Sequence, residues 1–299
     1  MANTLVLPVP ERLLSLYVVA APERMPSGLA ERPVGHAAKA LSADGAPLVD
    51  VAPRVEVIEA GRPPLAGMVE LLGCLDCGPH LDPATLAKVR SAERHLMVAA
   101  TYGPAWPPLH AWTAVTTAEA LAVATGGILF DPEAPLLRPV RWAPCALRDR
   151  HRFAVGEWLE VGVSADQTDI RRGMWMTTAG LARFGLPELQ GRRIPPDLTV
   201  GWCDVVNGLA QTLLRAHWAD LDVEPGRAFR EIAETVTVTS EDVEAATGRR
   251  YPPGSAEVRL RLDPGAPGRA SYLTVLPPRA FRGPAGRWRR EIVAALLGG

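Results

Sequence analysis

Lysine is nearly missing from these 299 residues. Lys39 and Lys88 stand alone, and the other 30 of the 32 basic residues are arginine. That scarcity weighs against a Schiff-base mechanism or a phosphate-binding lysine loop. Net charge is also small, −1 with neutral histidines, so no global field draws the chain onto nucleic acid or an anionic membrane. Cysteine is sparse. Four in a chain of this length do not make a disulfide framework, and a reducing cytoplasmic setting follows as the expectation. No segment reaches the roughly 18 uninterrupted apolar residues of a membrane helix. "LLSLYVVAAP" (13–22) is short, and its β-branched and aromatic content predicts a buried strand rather than a signal segment.

Catalytic templates are absent as well. The sequence holds no G-x-S-x-G elbow, no G-x-x-x-x-G-K-[ST] loop, no H-E-x-x-H helix and no G-x-G-x-x-G after a strand. "GCLDCGPHLD" (73–82) brings Cys74, Cys77 and His80 together, but three ligands with no second close pair fall short of a structural zinc site. Cys74 follows an apolar helical stripe and so sits at a helix C-terminal end, where a thiolate is disfavoured. The stretch reads as packing, and neither metal nor cofactor is expected. Asp131, Glu133, Asp166 and Asp169 occupy turn-like contexts and read as caps and turn formers. His110 and His151 are the candidate general bases of a hydrolase or transferase without a motif, the alternative to a non-catalytic chain.

What is present is a mixed succession of elements. Strands are expected around Pro8–Pro10, at 54–60, 95–102, 128–131, 156–165, 171–180, 234–239, 256–262 and 271–277. Helices are expected at 34–45, 63–75, from Asp82-Pro83 to about Arg94, at 107–127, 179–189, 197–221, 240–248 and 286–298. This predicts an α+β fold with mixed, mainly antiparallel sheets and helices packed on one face. Two halves, 1–150 and 151–299, are expected to pack as one compact unit. "VTTAEALAVATG" and "VTSEDVEAATG" are both hydroxyl-capped helices ending in Thr-Gly, which leaves room for an internal duplication.

Eight tryptophans remain to be explained, and several stand beside arginine: Arg141-Trp142, Arg171-Arg172 before Trp175, and Trp288 between Arg287 and Arg289. Trp and Arg anchor interfaces through large buried area and planar, bidentate hydrogen bonding. Trp158 and Trp175 lie on the two strands joined by "DQTD", where they are expected to share a face. If that pair includes a sheet edge, an extended peptide adds to it as a further strand. The expected peptide-binding residues are therefore Trp158, Arg171, Arg172 and Trp175.

Two stretches carry a resemblance. "AEALAVATGGILFDPEA" (118–134) and "TTAGLARFGLPELQ" (177–190) are similar to a widespread, uncharacterised family of bacterial α+β proteins. In that family a helix runs into Gly-Gly, a short strand and Asp-Pro, and a GL-x-x-FGLPEL segment follows. The resemblance carries over no catalytic residue, and Gly126, Gly127, Asp131 and Pro187 read as backbone punctuation. In size, mixed architecture and residue usage the chain also resembles the peptide-binding accessory proteins of ribosomal-peptide pathways of the crocagin type. That second resemblance implies a non-catalytic protein recognising a precursor peptide. A homodimer formed through exposed sheet edges or the apolar C-terminal helix is a further expectation. So is an immunity-like or scaffold role with a folded partner.

Overall fold

The computed structural model describes residues 3–21, 54–59, 83–92, 94–137, 150, 153–165, 173–265 and 271–298. The helices expected at 34–45 and 63–75 lie outside them. Among the described residues the fold is α+β, with five helices and three sheets that are antiparallel except for one parallel pair. The chain divides into two compact units. One comprises Arg12–Arg148, the other Met1–Glu11 together with Asp149–Gly299.

Strand β1 (Thr4–Pro8) therefore belongs with the distant part of the chain, and it pairs antiparallel with residues 229–233. In the unit of residues 12–148, β2 (Leu13–Ala21) and β4 (Arg94–Tyr102) pair antiparallel along their whole length. β3 (Arg54–Glu59) flanks β4, while β5 (Ile128–Asp131) and then β6 (Leu136–Leu137) flank β2. α1 (Pro83–Ser91) sets Val89, beside Ala92, against Val18, Ala20 and Phe130. α2 (Leu109–Thr125) packs along β2 and β4; it is apolar around much of its girth and buried from His110 to Glu119, while its last turn is exposed at Val123. Gly126 ends it in the left-handed conformation at φ 64°. A side chain at Gly127 would come within 2.8 Å of the Ala20 carbonyl oxygen, so the Gly-Gly pair is needed to turn the chain tightly into β5.

In the second unit six strands run in the order β11-β12-β13-β9-β8-β7. They are β7 (Glu160–Ala165), β8 (Met174–Ala179), β9 (Glu188–Ile194), β11 (Thr235–Thr239), β12 (Ser255–Asp263) and β13 (Tyr272–Leu276). β10 (Phe229–Ala233) precedes β11 and holds β1. Three helices cover the sheet: α3 (Thr199–Val223), α4 (Ser240–Thr247) and α5 (Ala285–Leu297). Val258, Leu260, Leu273, Val275, Leu189 and Met176 are among the buried strand residues of this layer. α4 opens with a capping box between Thr239 and Asp242 and closes on left-handed Gly248, as its sequence predicts.

One expected helix is replaced. Residues 181–184 form only a 3-10 turn, and Glu188–Ile194 run as β9, parallel to β13 and antiparallel to β8. The first four residues of β9 are buried, so no period-2 pattern marks it as a strand.

Candidate functional site

β7 ends the six-stranded sheet: among the described residues no strand lies on its outer side. Every residue of β7 is partly exposed. It carries neither the lysine nor the proline with which edges are commonly protected. Its register with β8 places Ser164 opposite Trp175 and Gly162 opposite Thr177, on one face, with Val163 opposite Met176 on the other. Small Ser164 and Gly162 leave the way to Trp175 low.

Trp175 is 37% exposed. The register of β8 with β9 slips beside it, from Met174 opposite Ile194 to Met176 opposite Gly191. Arg192 and Arg193 together oppose the single residue Trp175 and form a bulge, and Arg193 takes φ 59°, a conformation that non-glycine residues seldom adopt. The bulge aims the exposed Arg192, whose guanidinium carbon lies 5.6 Å from the centre of the Trp175 ring. Its base is held from below. Arg289 of α5 donates to the Arg192 carbonyl at 2.7 Å and to the Arg193 carbonyl at 3.0 Å.

The other sequence-predicted residues fare differently. Trp158 does not share a face with Trp175. It lies ahead of β7, closing a 3-10 turn over Val155–Glu157, and is 1% exposed. It stacks on Phe153 at 5.6 Å and meets Phe184 edge-on, and Trp218 completes the cluster. Gln211 of α3 fixes this turn from both sides: it accepts from Val155 N at 2.9 Å and donates to Phe153 O at 2.9 Å. Trp158 is thus a core residue. Arg171 and Arg172 lie outside the described residues, and Arg192 supplies the arginine beside Trp175.

No protein-family model matches the chain, and comparisons with the curated proteins and with solved structures find no match either.

His110 is completely buried in α2 and closed to solvent, while His151 lies outside the described residues. Cys74, Cys77 and His80 lie outside them too. Among the described residues no group of His, Cys, Asp and Glu is arranged to hold a metal, and no helix is long and apolar enough to cross a membrane. Asp131 has the turn-forming role expected of it: its Oδ1 accepts from Glu133 N at 3.0 Å and Ala134 N at 3.1 Å. Glu133 Oε2 accepts from Leu16 N at 2.9 Å.

Two clefts escaped the sequence reading because their walls come from distant segments. One, of about 280 Å³, is lined by Gly156, Glu157, Asp204, Asn207, Thr247 and Arg249 among others. Its sequence trace is Asp204 and Asn207, polar and one turn apart on α3. The other, of about 350 Å³, runs beside Asn3, Glu234 and Arg279. There a hydrogen bond from Asn3, then one from Arg279, holds the Glu234 carboxyl below its ordinary range. Arg279 and Arg259 both donate to Glu234, so these charges tie β10–β11 to β12 and the segment after β13.

Proposed function

We propose that this chain is a non-catalytic peptide-binding protein that takes an extended peptide as a seventh strand along β7. The observation that carries the reading is a sheet-terminal strand whose immediate neighbour presents a half-exposed tryptophan capped by an arginine. Backbone hydrogen bonds to β7 supply affinity without regard to sequence. Selection comes from the face. An added strand would lie about 4.8 Å outside β7, hence roughly 9–10 Å from β8, with Ser164 and Gly162 between. A long or planar side chain on the peptide crosses the small Ser164 and meets Trp175 and Arg192. The resemblance to accessory proteins of ribosomal-peptide pathways supports a precursor peptide as the ligand class.

The test is calorimetric titration of the full chain with synthetic segments of the short peptides encoded beside its gene. Saturable micromolar binding is expected, about −8 kcal/mol, because ordering an extended chain offsets much of the contact energy. Trp175→Ala is expected to weaken binding about tenfold. Ser164→Lys, which puts a charge across the approach, and N-methylation of alternate peptide amides are expected to abolish it. Binding indifferent to N-methylation, or a peptide recovered chemically altered, would overturn the proposal.

A further inference from the structure

The 280 Å³ cleft lies at the Glu160 end of β7: Gly156 and Glu157 line it, and the strand begins three residues after Glu157. From the groups that face it, we infer that this cleft is a subsite for a cationic side chain, a guanidinium or ammonium. The inference rests on the strand-addition reading for the source of that side chain, a residue of the bound peptide.

The lining is weighted toward acceptors. Asp204 and Glu157 bring two carboxylates. Asn207 Oδ1 is buried and has no hydrogen-bond partner among the described residues, which is costly for an amide oxygen unless a donor arrives. α4 ends at the cleft, with Ala246 and Thr247 in the wall, so the negative end of its dipole faces the same space. The cleft's shape depends on Gly156, where a side chain would come within 2.3 Å of the Ala246 carbonyl oxygen.

The chain already shows what this site accepts. Arg249, 63% exposed, reaches in and donates to Asp204 Oδ2 at 2.9 Å, beside the Tyr251 hydroxyl at 2.8 Å. It acts as an internal stand-in for a ligand guanidinium. The Arg249 guanidinium is held above its ordinary range by its hydrogen bond with Tyr251 and then by the Asp204 charge. The negative field is also felt behind the wall. Burial, then the charges of Asp204 and Glu160, push the Cys203 thiol up to about 11. A volume near the lower limit of ligand pockets suits one side-chain head group rather than a larger ligand.

Geometry fixes the spacing. Glu160 and Ser164 are roughly 13 Å apart along an extended strand. A peptide contacting Trp175 across Ser164 therefore carries its cationic residue at least about four positions away.

Agmatine, a four-carbon stem with a guanidinium at one end and an ammonium at the other, probes the cleft without any peptide backbone. Titrated into the full chain and followed by calorimetry, it is expected to saturate. Asn207→Leu and Asp204→Asn are each expected to weaken it at least tenfold, and N-butylurea, which keeps a stem of the same length but carries neither cation, is expected to show no saturation. In the peptide arm, arginine replaced by citrulline is expected to bind at least tenfold more weakly to the parent chain but about equally to Asp204→Asn. Agmatine binding with no peptide binding would uphold the cleft and overturn strand addition. Peptide binding that is blocked by N-methylation but indifferent to citrulline would uphold strand addition and overturn the cationic subsite. Equal binding of agmatine and N-butylurea would also overturn the subsite.

Discussion

His217 lies in α3 with no solvent exposure. Burial, and after it the charge of Arg230, pushes its ring down to about 3, with only partial opposition from the Phe184 carbonyl. In the unfolded chain the ring titrates at its ordinary value of about 6.5. Between those values the unfolded state binds a proton that the folded state refuses, so stability is lost as pH falls below 6.5. The slope approaches about 1.4 kcal/mol per pH unit. His95, also lowered by burial, adds loss in the same direction. Urea unfolding at pH 7.5 and pH 5.5 is expected to show this loss, and His217→Gln is expected to reduce it. An unchanged slope in that variant would assign the acid sensitivity elsewhere. The residue scale also shows why the Trp–Arg pattern was only half legible. Trp288 and Arg289 are neighbours in sequence, yet both are buried: Trp288 lies 5.3 Å from Trp202, and burial pushes the Arg289 guanidinium down to about 10. The pair that meets at the surface, Trp175 and Arg192, is separated by 17 positions and joined only by a bulge. Adjacency along the chain carries no information about such a contact.

Among the elements, legibility follows local signals. α4 is announced by a capping box and a Thr-Gly stop, and β2 by its β-branched apolar run, and both form where they are expected. β9 is set by its two neighbours instead, and "GLPELQGRRI" contains no alternation from which to read it. The turn over Val155–Glu157 is likewise a tertiary product, held by Gln211 and wedged against α4 at Gly156. Gly156→Ala drives a methyl group into the Ala246 carbonyl, and overpacking of this kind costs about 1–3 kcal/mol. A lower urea midpoint, at unchanged dependence on denaturant, is the expected result. A neutral substitution would mean that the turn and α4 are not pressed together.

At the level of the whole molecule, the fold class was legible because it depends on the order and type of elements. The partner of the opening strand was not. β1 joins β10 across more than 220 residues, with Leu7 buried, so the opening residues belong to the unit completed by 149–299. Nothing in "TLVLP" specifies that partner. Among the described residues the same unit ends its main sheet at β7, and the proposed function depends on that edge. Hydrogen exchange of the β7 backbone amides, with and without the precursor-peptide segment, tests the central claim most directly. Slowed exchange along 160–165 on binding is the expected result. Saturating peptide that leaves those amides unprotected, or protects a different strand instead, would contradict it.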